Sequence, residues 1–194
     1  MRILTNLTDD QLIKLYINGD NDALTKIIMR HRTKIFTSIY LLIKDKYLAE
    51  DIFQDVFINI IDTLKAGRYK EEGKFIQWAM RIAHNMSIDH FRKIKRNPTI
   101  ITSENKDIFD VLNFSEVDIE QKIISQETHE KVRILLDKLT DDQREVIILR
   151  HYANLSFKEI SELTNCSINT SLGRMRYGLL NLRKIIKENE LVQY

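Results

Sequence analysis

A chain of 194 residues, 43% hydrophobic and 30% charged, is long enough to bury one core or two small ones without disulfides or metals. One proline and five glycines against abundant Leu, Ile, Lys and Glu favour an all-α protein. No apolar run approaches the roughly 20 residues of a membrane span, and MRILTNLTDDQLIKLY lacks an apolar stretch followed by a small-residue cleavage site, so a cytoplasmic protein is expected. Cys166 is alone and is expected to be a buried structural thiol. The five histidines lack zinc-ligand spacing, so neither a metal nor a cofactor is expected. The net charge of +2 does not by itself point to nucleic acid, but it is unevenly spread: residues 1 to 96 hold 17 basic and 12 acidic residues, 97 to 128 hold 2 and 7, and 129 to 194 hold 11 and 9.

Apolar residues at three and four spacing predict helices near 9–18, 22–43, 47–65 and 73–96, then 116–138, 141–151, 157–163 and 168–188. Three of the starts, Thr8 to Gln11, Thr140 to Gln143 and Ser156 to Glu159, match the capping box, in which a hydroxyl residue precedes Glu or Gln by three. Along the third helix, AEDIFQDVFINIIDTL, residues Asp51, Gln54, Asp55 and Asp62 surround one exposed face that also holds Ile58. Acidic faces are usually only solvated. An isoleucine within one leaves apolar surface for a partner protein to cover.

The fourth helix, FIQWAMRIAHNMSIDHFRKIKR, places Phe75, Ala79, Ile82 and Met86 on one stripe and Trp78, Arg81, Asn85, Arg92 and Arg96 on the next. An aromatic ring, an amide and three guanidiniums in line suit a nucleic-acid strand with exposed bases. Tyr69, in the preceding loop GRYKEEG, offers a second stacking ring. Asn85 is the more telling residue, because asparagine is poor in mid-helix unless its amide has a task. Asn97-Pro98 then ends the helix, since a residue before proline is pushed out of the α region. The expected organisation is a first domain over 8–96, an acidic linker over 97–115 and a second domain over 116–188.

In the second domain Ser156 caps FKEISELT, Asn165-Cys166 makes the turn, and Ser167 caps a longer helix, which is the length pattern of a helix-turn-helix. Asparagine at 165 suits a left-handed turn residue. On the longer helix Ile168, Ser171, Leu172, Met175, Gly178, Leu179, Leu182 and Ile186 share an inward face, and Thr170, Gly173, Tyr177 and Lys184 centre the opposite one. Arg174 and Arg176 flank that outer strip, beside Asn169 at the helix start, with Lys158 on the preceding helix. A helical glycine costs about 0.8 to 1 kcal/mol relative to alanine, so two in one helix imply a close approach on each face: a neighbouring helix at Gly178 and a DNA duplex at Gly173. The capped starts at Ser156 and Ser167 add amides suited to phosphates.

Taken in order, AEDIFQDVFINII, FIQWAMRIAHNMSIDHFRK and LTDDQREVIILRHYANLSFKEISELTNCSINTSLGRMRYGLLNLRK resemble the extracytoplasmic-function sigma factors of bacterial RNA polymerase, over residues 10 to 187. The resemblance implies a region-two domain that docks on core polymerase and opens the minus 10 element, and a region-four domain that binds the minus 35 element. On that basis Asp51, Gln54 and Asp55 match the motif that docks on the largest subunit's clamp helices, and Asn85 with Tyr69 matches the surroundings of a captured base. The family's partners follow: core RNA polymerase, promoter DNA and an anti-sigma factor. The short form implies alternative rather than housekeeping transcription. Asn169-Thr170-Ser171, where the family more often has Gly-Thr-Val, and the run GRMRYGLLNLRK look like the subgroup common in the Bacteroidetes lineage. Two other readings stand beside this one. A stand-alone regulator would use the same helix-turn-helix on an operator without polymerase, and a small helical enzyme would need an acid and base cluster that the scattered histidines do not supply.

Overall fold

The computed structural model describes residues 7–70, 72–96 and 132–191, with the side chains of 94–96 and 189–191 outside that description. The expected linker over 97–115 and residues 116–131 of the expected helix over 116–138 lie outside the described residues. Among those described the chain is all-helical with no strand, and it divides into two compact units, 1–101 and 102–194. An all-α protein was the expectation from composition.

The first unit holds α1 (Asp9–Ile17), α2 (Asn21–Ile43), α3 (Lys46–Lys65) and α4 (Phe75–Arg96). Each early start has its own cap. Thr8 forms the complete capping box with Gln11, Asp20 accepts from the amides of Asp22 and Ala23, and Asp45 accepts from Leu48. Each cap satisfies amides that the helix leaves without a partner. Lys44 turns the chain between α2 and α3 in the left-handed region, at φ 64°. The core is one face from each helix: Leu12 and Ile13; Ile27, Ile35 and Ile39; Ile52, Val56, Ile60 and Leu64; and Phe75, Ala79, Met80 and Ala83. On α4 the buried stripe therefore differs from the sequence expectation. Ile82 and Met86 are only half-buried, while Met80, Ala83 and Ser87 are buried. Ser87 is tolerated there because its hydroxyl donates to the Ala83 carbonyl at 2.8 Å, which satisfies the buried polar atom.

The second unit holds helical residues 132–137, then α5 (Asp141–His151), α6 (Phe157–Leu163) and α7 (Ile168–Leu191). Leu136, Leu139, Val146, Ile148, Leu149, Leu155 and Ile160 form its core. The expected capping box at the start of α5 is only half made. Thr140 accepts from the Gln143 amide, but the Gln143 side-chain oxygen instead accepts from the Asn181 side chain of α7 at 3.0 Å. A tertiary hydrogen bond has displaced the local one.

Candidate nucleic-acid interface

In the first unit the loop before α4 is bracketed by Gly67 and Gly73, both in the left-handed region at φ 65° and 67°. It brings the Tyr69 ring to 4.6 Å from Trp78 and 6.1 Å from Phe75, and Trp78 itself stands 5.8 Å from Phe75. Phe75 is 1% exposed, so a buried ring seats two half-buried ones. Tilted and edge contacts at these separations are the favoured aromatic geometries. Trp78 thus belongs partly to the core and partly to the surface. Along α4 from this cluster come half-buried Arg81, exposed Asn85 and exposed Arg92, which lies 3.7 Å from Asp89. Arg96 lies in the last turn of α4, its side chain outside the described residues. Rings, an amide and guanidiniums on one strip offer stacking, hydrogen bonding and counter-charge to a single strand. Phe75 is the member that the sequence pattern assigned only to the core.

The exposed face of α3 carries Asp51, Gln54, Asp55 and Asp62, with Ile58 56% exposed among them. Tyr47, 67% exposed, continues that face one turn earlier, four residues before Asp51. The i and i+4 spacing alone was signal enough to include it.

In the second unit the elements expected of a helix-turn-helix are present with their caps. Ser156 and Glu159 exchange the reciprocal hydrogen bonds of the capping box, Asn165 adopts the left-handed conformation at φ 52°, and Ser167 accepts from the Thr170 amide at 3.0 Å. Cys166 is half-buried rather than buried. Its sulfur lies 3.1 Å from the Ser171 hydroxyl and 3.2 Å from that of Thr164, so it joins a small polar knot at the turn.

The two α7 glycines differ. A Cβ on Gly178 would stand 2.9 Å from Ile147 Cδ1 and 3.3 Å from Gln143 Cβ, so α5 does approach there, whereas a Cβ on Gly173 would meet nothing within 4 Å. Around Gly173, Asn169, Thr170, Arg176, Tyr177 and Lys184 are exposed, and Lys158 is exposed on α6. Leu180, 47% exposed, shares the strip with Tyr177 and Lys184. Arg174 has a partner within the unit. Its guanidinium turns to the Asp142 carboxylate at 2.7 Å and its side chain is only 24% exposed, because the acidic first turn of α5 lies within its reach. Arg176 has no ion pair among the described residues. The inward apolar face is also incompletely covered: Ser171 and Gly178 are buried, but Ile168, Leu172, Leu179 and Ile186 are between 41% and 50% exposed.

Charge elsewhere serves structure. In the first unit the Asp9 carboxylate accepts from Arg30 at 2.7 Å and His31 at 2.8 Å. Burial alone would raise its pKa, but the hydrogen bonds and charge of His31 and Arg30 outweigh that and hold it below the usual value. Burial raises the Tyr152 phenol. No group of three or more His, Cys, Asp or Glu among the described residues is placed to hold a metal ion, and no described helix is long and apolar enough to cross a membrane.

Two family models match the two units: Sigma-70 region 2 over residues 27–97, and Sigma-70, region 4 over residues 129–171. Over 183 residues the chain is 31% identical to the ECF RNA polymerase sigma factor SigW of Bacillus subtilis, covering 91% of this chain and 95% of that one. It is 26% identical over 178 residues to the RNA polymerase sigma-H factor of Pseudomonas aeruginosa, covering 89% and 91%. In fold it is similar to CnrH, solved with the cytosolic domain of CnrY, at a TM-score of 0.61 and 19% identity over 93% of this chain and 97% of that chain. It is similar also to the sigma factor RpoE of Bartonella quintana, solved with the anti-sigma factor NepR, at a TM-score of 0.62 and 18% identity over 84% and 96%. The chain belongs to the extracytoplasmic-function sigma factors of the sigma-70 family. Its class is that of transcription initiation factors, which bind core RNA polymerase and direct it to particular promoters.

Proposed function

We propose that the two strips divide promoter recognition between them. Tyr69, Trp78, Arg81, Asn85, Arg92 and Arg96 take the exposed strand of the minus 10 element, with a base at the Tyr69 and Trp78 rings and Asn85 hydrogen-bonding to it. Ser156, Lys158, Ser167, Asn169, Thr170, Gly173, Arg176, Tyr177 and Lys184 meet the minus 35 duplex, and α7 enters the major groove by its N-terminal turns, as recognition helices do. Arg174 joins them by exchanging Asp142 for DNA. Asp51, Gln54, Asp55 and Ile58 dock on core polymerase. The domains are those over 8–96 and 116–188, joined by a linker over 97–115. The protein is not an enzyme, since polymerase supplies the catalysis, and it works in the cytoplasm.

The observation that carries this reading is the pair of half-buried rings, Tyr69 and Trp78, at the head of an amide and arginine strip on α4. A solvated helix has no need to spend aromatic surface there. The sequences Asn169-Thr170-Ser171 and GRMRYGLLNLRK support the Bacteroidetes-like subgroup, whose promoters are to be selected rather than copied from the relatives. An anti-sigma partner is supported by the family and by the NepR complex of the structural relative. The test is holoenzyme assembly followed by permanganate footprinting on a promoter selected from a random library. Trp78→Ala and Asn85→Ala should bind core polymerase normally and fail to expose thymines near minus 10. A chain that ignores core polymerase and binds duplex DNA alone would instead be a stand-alone regulator.

A further inference from the structure

We infer that His31 is a positioning residue for the Tyr69 and Trp78 rings, set in place by Asp9 of α1; the inference rests on the reading of α4 as the strand-binding surface. His31 is 8% exposed, and its Nε2 lies 2.8 Å from Asp9 Oδ2. The other oxygen of that carboxylate accepts from Arg30 at 2.7 Å, and Arg30 also donates to the Leu7 carbonyl at 2.9 Å. The carboxylate is thereby pinned between two donors from α2, and His31 cannot rotate without breaking a hydrogen bond of the charge-assisted kind.

The His31 ring faces Phe75, with centroids 5.4 Å apart and planes tilted by 48°. Phe75 in turn touches both Tyr69 and Trp78. Four rings therefore stand in series from the Asp9 carboxylate to the surface. The next residue of α1 reaches the same loop by another route, because an Asp10 oxygen lies 3.7 Å from where a Cβ on Gly73 would stand. In a close-packed interior, removal of one ring is felt by the rings packed on it, since a gap under Phe75 forfeits contact along the series. His31 never touches DNA in this arrangement. It sets how Phe75 lies, and Phe75 sets the separation and tilt of the two rings that receive a base.

The test uses the full chain. Trp78 is the only tryptophan, so its emission in the free protein reports the cluster. Strand affinity is measured on holoenzyme with a single-stranded DNA that the wild-type holoenzyme selects from a random pool. His31→Ala is expected to shift the Trp78 emission and weaken strand binding about five- to tenfold, part of what loss of one stacked base contact costs. Asp9→Asn should weaken it about two- to threefold, by the same stacking scale. His31→Phe, which restores a ring against Phe75, should recover most of the affinity, and the affinity for core polymerase should not change in any of them. Measurements at a temperature where circular dichroism shows the variants folded separate positioning from plain stability. Wild-type emission and strand affinity in folded His31→Ala, with binding lost in Trp78→Ala, would overturn the inference. Unchanged binding in both variants would overturn the reading of α4 instead. Should His31→Ala not fold, His31→Leu, which fills the space without a ring, decides by the same two readings.

Discussion

The two glycines of α7 make opposite predictions from one substitution. Alanine in place of either gains about 0.8 to 1 kcal/mol of helix propensity. At Gly173 nothing opposes that gain, because a Cβ there would stand in open space. At Gly178 the new methyl would be 2.9 Å from Ile147 Cδ1 and 3.3 Å from Gln143 Cβ, and overpacking of this kind costs about 1 to 3 kcal/mol. The Ile147 methyl can rotate away in part, but the Gln143 Cβ is fixed to the α5 backbone. Gly173→Ala should therefore stabilise the second unit by up to about 1 kcal/mol, while Gly178→Ala loses up to about 2 kcal/mol once the propensity gain is subtracted. Each kcal/mol moves the midpoint of a domain of this size by about 4 to 8 °C, so the two variants should melt at least about 4 °C apart. Thermal circular dichroism, with hydrogen exchange of the α7 amides to assign the transition, measures this. Duplex binding should move the other way: Gly173→Ala weakens minus 35 binding despite its greater stability, and Gly178→Ala leaves the contact strip intact. Coincident melting of the two variants would refute the packing argument, and full duplex affinity in Gly173→Ala would refute close approach of DNA.

Other predictions follow from the same geometry. Arg176→Ala should lower the slope of log affinity against log salt by about 0.9 if it neutralises a phosphate, or relax one base position if it reads an edge; salt titration and promoter selection separate the two. Asp142→Asn releases Arg174 from a surface ion pair whose stability contribution is about 0 to 1 kcal/mol, so duplex binding should tighten with little change in melting, and weakened binding would show that the pair positions the arginine. Ile58→Asp should abolish core-polymerase binding in pull-down while leaving stability within about 0.5 kcal/mol, since the side chain is exposed. Asp9 is held below its ordinary pKa, so its folded-state contribution is complete above the unfolded value near 3.9. That contribution is lost as pH falls through the folded value. Asp9→Asn should lower stability of the first unit at neutral pH and flatten its loss in acid, as urea denaturation across pH would report.

Local chemistry made much of this molecule legible in its sequence. The capping boxes at Thr8 and Ser156 and the left-handed Asn165 are read within a few residues of themselves, and each took its expected form. The exposed face of α3 followed from spacing alone, and the cost of a helical glycine pointed to a neighbouring helix at Gly178, which is α5. What spacing left open was every choice between partners of comparable strength. Gln143 had a local cap within reach and bonded Asn181 instead. Arg174 lay near the outer strip by helical angle, yet its long side chain reached Asp142. The α4 stripe settled on Met80, Ala83 and Ser87 rather than Ile82 and Met86, because α2 and α3 both pack against α4 and decide which of its faces is covered.

The sequence by itself determined the helical class, the capped helix starts at Thr8, Ser156 and Ser167 and the order of two basic segments around an acidic one, since caps, turns and periodicity are short-range and need no knowledge of the fold. Only the tertiary structure decided that Tyr69, Trp78, Phe75 and His31 meet. They come from a loop and two helices, with Asp9 added from a third, and a contact across that much chain depends on how the helices pack. That packing is set by the sum of many weak apolar contacts, not by any motif that a single segment carries.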